Sequence, residues 1–283
     1  MTRLDQFEST FRAAAKETYT HTPLKIDRVL VVTDLEAVEA ALLTEAARRF
    51  LAAIGGDETV WAPLAGNAFG SVQALLERIE EHRPDLVVTY RHLHSNAWRW
   101  PYSLGEHLDV LTQATPTPIL VLPHPDRDLP HSVKDTSVVM AITDHLVGDA
   151  RLVDHALGFT AQGGTCWLTH VESAAHFERY MDAISKISMI DTETAAETIK
   201  AQLLKEPHDY IRSCRAVIEA AGLDIAIEEI VVMERRIKEY RRLVEEHEVD
   251  LLVMYAKDED QLAMHGLAYP LAIELRQTPL LML

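Results

Sequence analysis

The sequence predicts an α/β protein built as two tandem open, doubly wound, mostly parallel sheets, with the first copy abbreviated. Three recurrences carry that expectation. The run VLVVTD at 29–34 returns as VMAITD at 139–144. EEH at 80–82 followed by PDLVV at 84–88 returns as EEH at 245–247 followed by VDLLV at 249–253. Gly105 precedes Pro118 at the same spacing as Gly266 precedes Pro279, and each proline opens an apolar run, PILVL and PLLML. The matches keep one order along the chain. The first two are further apart in the second copy, 139 to 249 against 29 to 84. That difference puts about 55 extra residues into the second copy. Strands alternating with helices imply parallel βαβ units with right-handed crossovers.

Element by element, residues 1–22 read as a helical extension, because Phe7, Phe11, Ala14 and Ala15 share a helix face. Residues 29–34 read as a buried strand with a polar C-terminal end. A second strand is expected at 59–64, then a charged helix ending in EEH and a buried strand at 84–88. The segment between Gly105 and Pro118 reads as a helix. Residues 117–122 form the closing strand, since proline is tolerated as a strand's first residue. Residues 125–136, with Pro125 and Pro130, form a linker between a first unit over 23–124 and a second over 137–283. In the second unit, extra strands are expected at 165–171 and 225–232. They flank a helix over 195–221 with a break at Pro207 and Gly222 as its C-cap.

Composition narrows the function. A chain of 283 residues that is 48% hydrophobic can bury a sizeable core. Its 27 basic and 44 acidic residues give a net charge of −17. That disfavours nucleic acid, which calls for a basic footprint, and anionic membrane surfaces. It favours a protein partner with a basic surface. No apolar run approaches a membrane-spanning length, and the first residues lack a signal-type apolar core. Two cysteines, Cys166 and Cys214, make no disulfide framework. The expected location is cytoplasmic.

A strand ending in Asp, a Gly-led helix and a Pro-led closing strand, in that order, resemble the universal stress protein family. Two copies in one chain resemble its tandem branch. The resemblance covers about residues 26–123 and 137–283. It implies a Rossmann-like fold and internal pairing of the two units through their closing strands, as a pseudo-dimer that can itself form a homodimer. ATP-binding members carry a Gly-x2-Gly-x9-Gly-Ser/Thr loop after the fourth strand, and an Asp at the end of the first strand contacts the adenine side. Carried over, the cofactor-pocket residues are Asp34, Gly105, Asp144 and Gly266.

The loop itself departs from that pattern. Glu106 takes the hydroxyl position, and the two earlier glycine positions fall on His92 and Ser95. In the second copy Leu267 follows Gly266, and residues 257–265 hold Asp258, Glu259 and Asp260 but no glycine. A carboxylate about 4 Å from a phosphate charge costs roughly 4 kcal/mol at an effective dielectric of 20, or about three decades of affinity. No ATP cofactor is therefore expected.

Other candidates are weighed against plainer roles. Asp34 and Asp144 lie where open α/β sheets bind ligands, or they cap the helices that follow. In RHLHSNAWRW at 91–100, His92 and His94 could ligate Zn²⁺, but two ligands make at most half a tetrahedral site. Trp98, Arg99 and Trp100 could anchor an interface, or pack on their own unit. Arg235, Arg236, Lys238, Arg241 and Arg242 are interleaved with Glu234, Glu239, Glu245 and Glu246, which predicts a self-paired solvated face. The chain lacks Gly-x-Ser-x-Gly, Walker, His-Glu-x-x-His and Cys-x-x-Cys motifs. The expectation is a non-enzymatic stress-associated or regulatory protein that binds a partner or small ligand. The alternatives are a nucleotide-binding switch or weak ATPase, and a metal-binding protein.

Overall fold

A computed structural model describes residues 18–56, 58–96, 102–125, 135–143, 146, 149–256 and 267–283. Residues 1–17 of the expected helical extension, most of the linker, and Asp144, Gly266, Trp98, Arg99 and Trp100 lie outside the described residues.

The chain order is β1 (Arg28–Val32), α1 (Ala37–Phe50), β2 (Val60–Leu64), α2 (Val72–His82), β3 (Leu86–Tyr90), α3 (Glu106–Ala114) and β4 (Ile119–Leu122). It continues with β5 (Val138–Thr143), α4 (Ala150–Phe159), β6 (Gly164–Ser173), α5 (Ala174–Ser185), α6 (Thr192–Ala221), β7 (Ile225–Glu234), α7 (Arg236–Glu246), β8 (Leu251–Met254), α8 (Ala268–Glu274) and β9 (Leu280–Met282). Among the described residues, nine strands form one sheet in the order β2-β1-β3-β4-β9-β8-β5-β6-β7. Every neighbouring pair is parallel except β4 and β9, which run antiparallel with Leu120 opposite Leu281. On one side of that seam the order is 2-1-3-4. On the other it is the same pattern with one further strand, β7, outside β6.

The strand sequences explain the layering. Successive side chains of a strand point to opposite faces, and helices cover both faces, so the strands are apolar throughout. Val29, Val31, Leu86, Val88, Val139, Ala141, Leu251 and Val253 face α1, α4 and α6. Leu30, Val32, Val87, Met140, Ile142, Leu252 and Met254 face α2, α3, α7 and α8. The result is an α/β/α sandwich.

Asp85 and Asp250, equivalent positions of the repeat, make the same clip. Asp85 Oδ2 accepts the backbone N–H groups of Asp27 (2.9 Å) and Arg28 (2.8 Å). Asp250 Oδ2 accepts that of Val138 (2.8 Å). Each ties the start of one strand to the start of its neighbour.

Two local expectations are corrected. α6 runs unbroken through Pro207 for 30 residues. Proline costs a helix one hydrogen bond and a ring clash, but Pro207, Tyr210, Ile211, Cys214 and Ile218 are buried along one side of this helix, and that burial offsets the loss. Gly222 does end it, in the left-handed conformation at φ 69°. The second correction concerns capping: α1 starts after Glu36, with no side-chain cap, so Asp34 is not its N-cap. The cap of α4 is Asp149, whose carboxylate accepts from the backbone N–H of Leu152 at 3.1 Å.

Candidate functional site

The carboxyl ends of β1 and β3 meet where strand order reverses, the usual ligand crevice of an open α/β sheet. Asp34, just past β1, is half-buried there. Its Oδ1 accepts a hydrogen bond from the Tyr90 hydroxyl. Its Oδ2 accepts the backbone N–H of His94 at 2.9 Å. Tyr90 sits at the end of β3, and its hydroxyl also lies 2.6 Å from Thr33 Oγ1. Burial, and then the Asp34 carboxylate, push the Tyr90 phenol well above the ordinary range, so it stays a neutral donor. Both oxygens of the first-strand aspartate are thus engaged within the chain.

The turn after β3 explains how His94 reaches Asp34. His92 and His94 both have positive φ, 65° and 54°, a conformation that is uncommon outside glycine. Gly105 has φ 92°, and a Cβ there would lie 2.8 Å from His92 Cα. Glycine therefore permits the close approach of the α3 entry to this turn. A second glycine serves the same crevice: a Cβ on Gly66 would sit 2.5 Å from the carbonyl oxygen of Asp34.

The two turn histidines part company. His92 is buried, whereas His94 is exposed. The His94 ring stacks edge-on to Phe69 (4.8 Å between centroids) and lies 5.7 Å from that of His107. His107, in the first turn of α3, is buried, and its Nε2 has no hydrogen-bond partner among the described residues. Burial and the neighbouring His94 lower its pKa. Among the described residues, no group of three or more His, Cys, Asp or Glu is placed to hold a metal ion. The start of α3, where a phosphate would meet helix N–H groups, carries Glu106 and Asp109 in its first turn.

The other side of the seam repeats the tyrosine. Tyr255, the repeat equivalent of Tyr90, directly follows β8 and donates to Asp149 Oδ1 at 2.6 Å. Both tyrosines therefore lock an aspartate of the loop after a strand. That equivalence is readable in the sequence, at the offset that relates 84–88 to 249–253. Phe69, His107 and the partners of Tyr90 carry no such signal, because only the fold brings β1, β3 and α3 together. Cys166 and Cys214 are both buried, and burial pushes each thiol up to about 12.

The basic run on α7 is only partly self-paired. Arg242 binds Glu239 and Glu246 on its own helix, but Arg241 reaches Glu274 of α8 at 3.1 Å.

No family model matches this sequence, and no curated protein matches it. Solved structures do match it. One is a functionally unknown protein from Pseudomonas aeruginosa PAO1, with a TM-score of 0.56, 13% identity, and 91% of this chain aligned to 92% of that one. Another, from Pseudomonas aeruginosa UCBPP-PA14 and described as a universal stress protein, has a TM-score of 0.51, 14% identity, and 100% of this chain aligned to 88% of that one. The chain shares its α/β fold with these two structures. At such identities the likeness concerns architecture, and fold by itself does not fix function. Among the described residues no helix is long and apolar enough to cross a membrane.

Proposed function

We propose that the chain is a tandem, internally paired universal stress-type protein of the non-ATP-binding kind. On this reading it is not an enzyme but a stress-associated or regulatory protein that acts through a protein partner or small ligand. The observation that carries this is the engagement of Asp34 by the Tyr90 hydroxyl and the His94 N–H. A nucleotide at this crevice would have to displace two hydrogen bonds to a carboxylate, each worth roughly 1.5–3 kcal/mol. It would also meet Glu106 and Asp109 at the helix terminus that would receive its phosphates. The antiparallel β4–β9 pairing supports the reading of an internal pseudo-dimer, because it joins the closing strands of two similarly ordered strand sets.

Isothermal titration of the full chain with Mg-ATP tests the proposal. The expected result is no saturable binding in the low-micromolar range. A low-micromolar Kd at near one site per chain overturns it. Mass spectrometry of the natively purified protein then identifies the small molecule or protein it retains.

A further inference from the structure

A cavity of about 560 Å³ opens between the α5 and α7 entries and α8, away from the Asp34 crevice. It is lined by Ser173, Ala175, Ile237 and Glu274 together with Arg235, Arg236, Lys238 and Arg241. Its size falls in the range of small-molecule sites. Four cations and one carboxylate face it, in a chain whose net charge is −17. The carboxylate, Glu274, is already taken by Arg241. Arg236 is held in place by its Nε, which donates to the Val171 carbonyl at 3.0 Å, with Glu172 3.9 Å away. Arg235 and Lys238 are exposed and form no ion pair among the described residues.

The backbone adds to this positive field. Two helices begin at the cavity, α5 after Ser173 and α7 after Arg235. Ser173 Oγ accepts the N–H of His176 at 3.3 Å. No side chain caps α7, whose first N–H groups belong to cavity-lining residues. Helix N-termini favour anions through their unsatisfied donors and dipole. Arginine forks match phosphate oxygens, and lysine supplies a point charge. Ala175 and Ile237 leave an apolar patch on the wall.

We propose that this cavity is an anion site that takes the phosphate group of a small phosphorylated molecule, with Arg235 and Lys238 as its principal contacts. Arg242, one turn further along the same helix, is no part of it, because Glu239 and Glu246 neutralise it.

Isothermal titration of the full chain with inorganic pyrophosphate at low salt tests the site. The expected result is saturable one-to-one binding with a Kd below roughly 1 mM. Arg235→Glu/Lys238→Glu, at two exposed positions, should keep the circular dichroism spectrum and weaken binding by at least about tenfold. Arg242→Glu, a charge reversal outside the cavity lining, should leave the affinity within about twofold. Three outcomes overturn the proposal: no saturable binding up to roughly ten times the expected Kd, unchanged binding in the double variant, or equal loss in Arg242→Glu, which would indicate generic charge attraction. Because the cavity and the Asp34 crevice are tested with different ligands and variants, either proposal can fail alone. ATP binding abolished by the double variant would belong to the cavity.

Discussion

His107 shows how one residue records the difference between its sequence and its surroundings. On a helix it is ordinary; in the fold it is buried in the Asp34 crevice beside Phe69 and His94. Burial lowers its pKa from 6.5, and the same cause lowers that of His155 in α4. The unfolded chain therefore takes up protons near pH 6.5 that the folded chain refuses. Stability from both groups is fully present above that value and falls as the pH drops toward their folded pKa values. Urea midpoints measured from about pH 7.5 down to about 5.5 should decline. His107→Gln and His155→Gln should each flatten the decline, and the double variant should flatten it most. A slope unchanged in the double variant would assign the acid sensitivity to other groups. Asp34 makes a related point. Its position at a strand end was legible from the repeated Thr-Asp, but its partners were not, since Tyr90 and His94 are distant in sequence and meet it only in the fold.

At the scale of elements, Arg91 is the clearest case of a role set by tertiary structure. It directly follows β3, is 3% exposed, and donates to the carbonyls of Ala272 (3.1 and 2.8 Å) and Leu275 (2.9 Å). Those carbonyls end α8, and the last carbonyls of a helix have no intrahelical donor. A side chain from one strand set thus closes a helix that belongs to the other. Arg91→Met should strand these acceptors and cost about 2–4 kcal/mol in urea unfolding. Arg91→Lys should recover part of that, because an ammonium cannot span both carbonyls as a guanidinium fork does. A cost below about 0.5 kcal/mol for Arg91→Met would show that water replaces the guanidinium.

The repeats made the strands and the Gly-led helix α3 legible, because apolar strands and Gly/Pro boundaries are written locally. The uninterrupted α6 was not, because only packing against the sheet overrides the local penalty of Pro207. The destination of Arg91 was equally hidden. Its counterpart in the second copy is Ala256, so the repeat itself breaks at the residue that joins the two strand sets.

Over the whole molecule, the same seam determines how the protein unfolds. β4 and β9 meet over only three register pairs, Ile119 with Met282, Leu120 with Leu281, and Val121 with Leu280. A joint that short would be weak if backbone pairing alone held it. The cores, however, do not stop there. One apolar cluster runs along one face of the sheet from Val29 and Leu86 through Leu120 and Leu281 to Val139 and Leu168. The other runs along the opposite face from Leu30 and Leu75 through Val121 and Leu280 to Met140 and Tyr240. Opening the seam would expose both clusters at their centres, so neither strand set can melt without uncovering the other. Scanning calorimetry should therefore show one transition, with calorimetric and van't Hoff enthalpies in agreement. Leu281 is fully buried in the seam. Leu281→Ala should lower stability by about 2–5 kcal/mol and shift the single peak downward without splitting it. Two resolved transitions, with only the later one moved by the substitution, would mean that the two strand sets are independent folding units that merely touch.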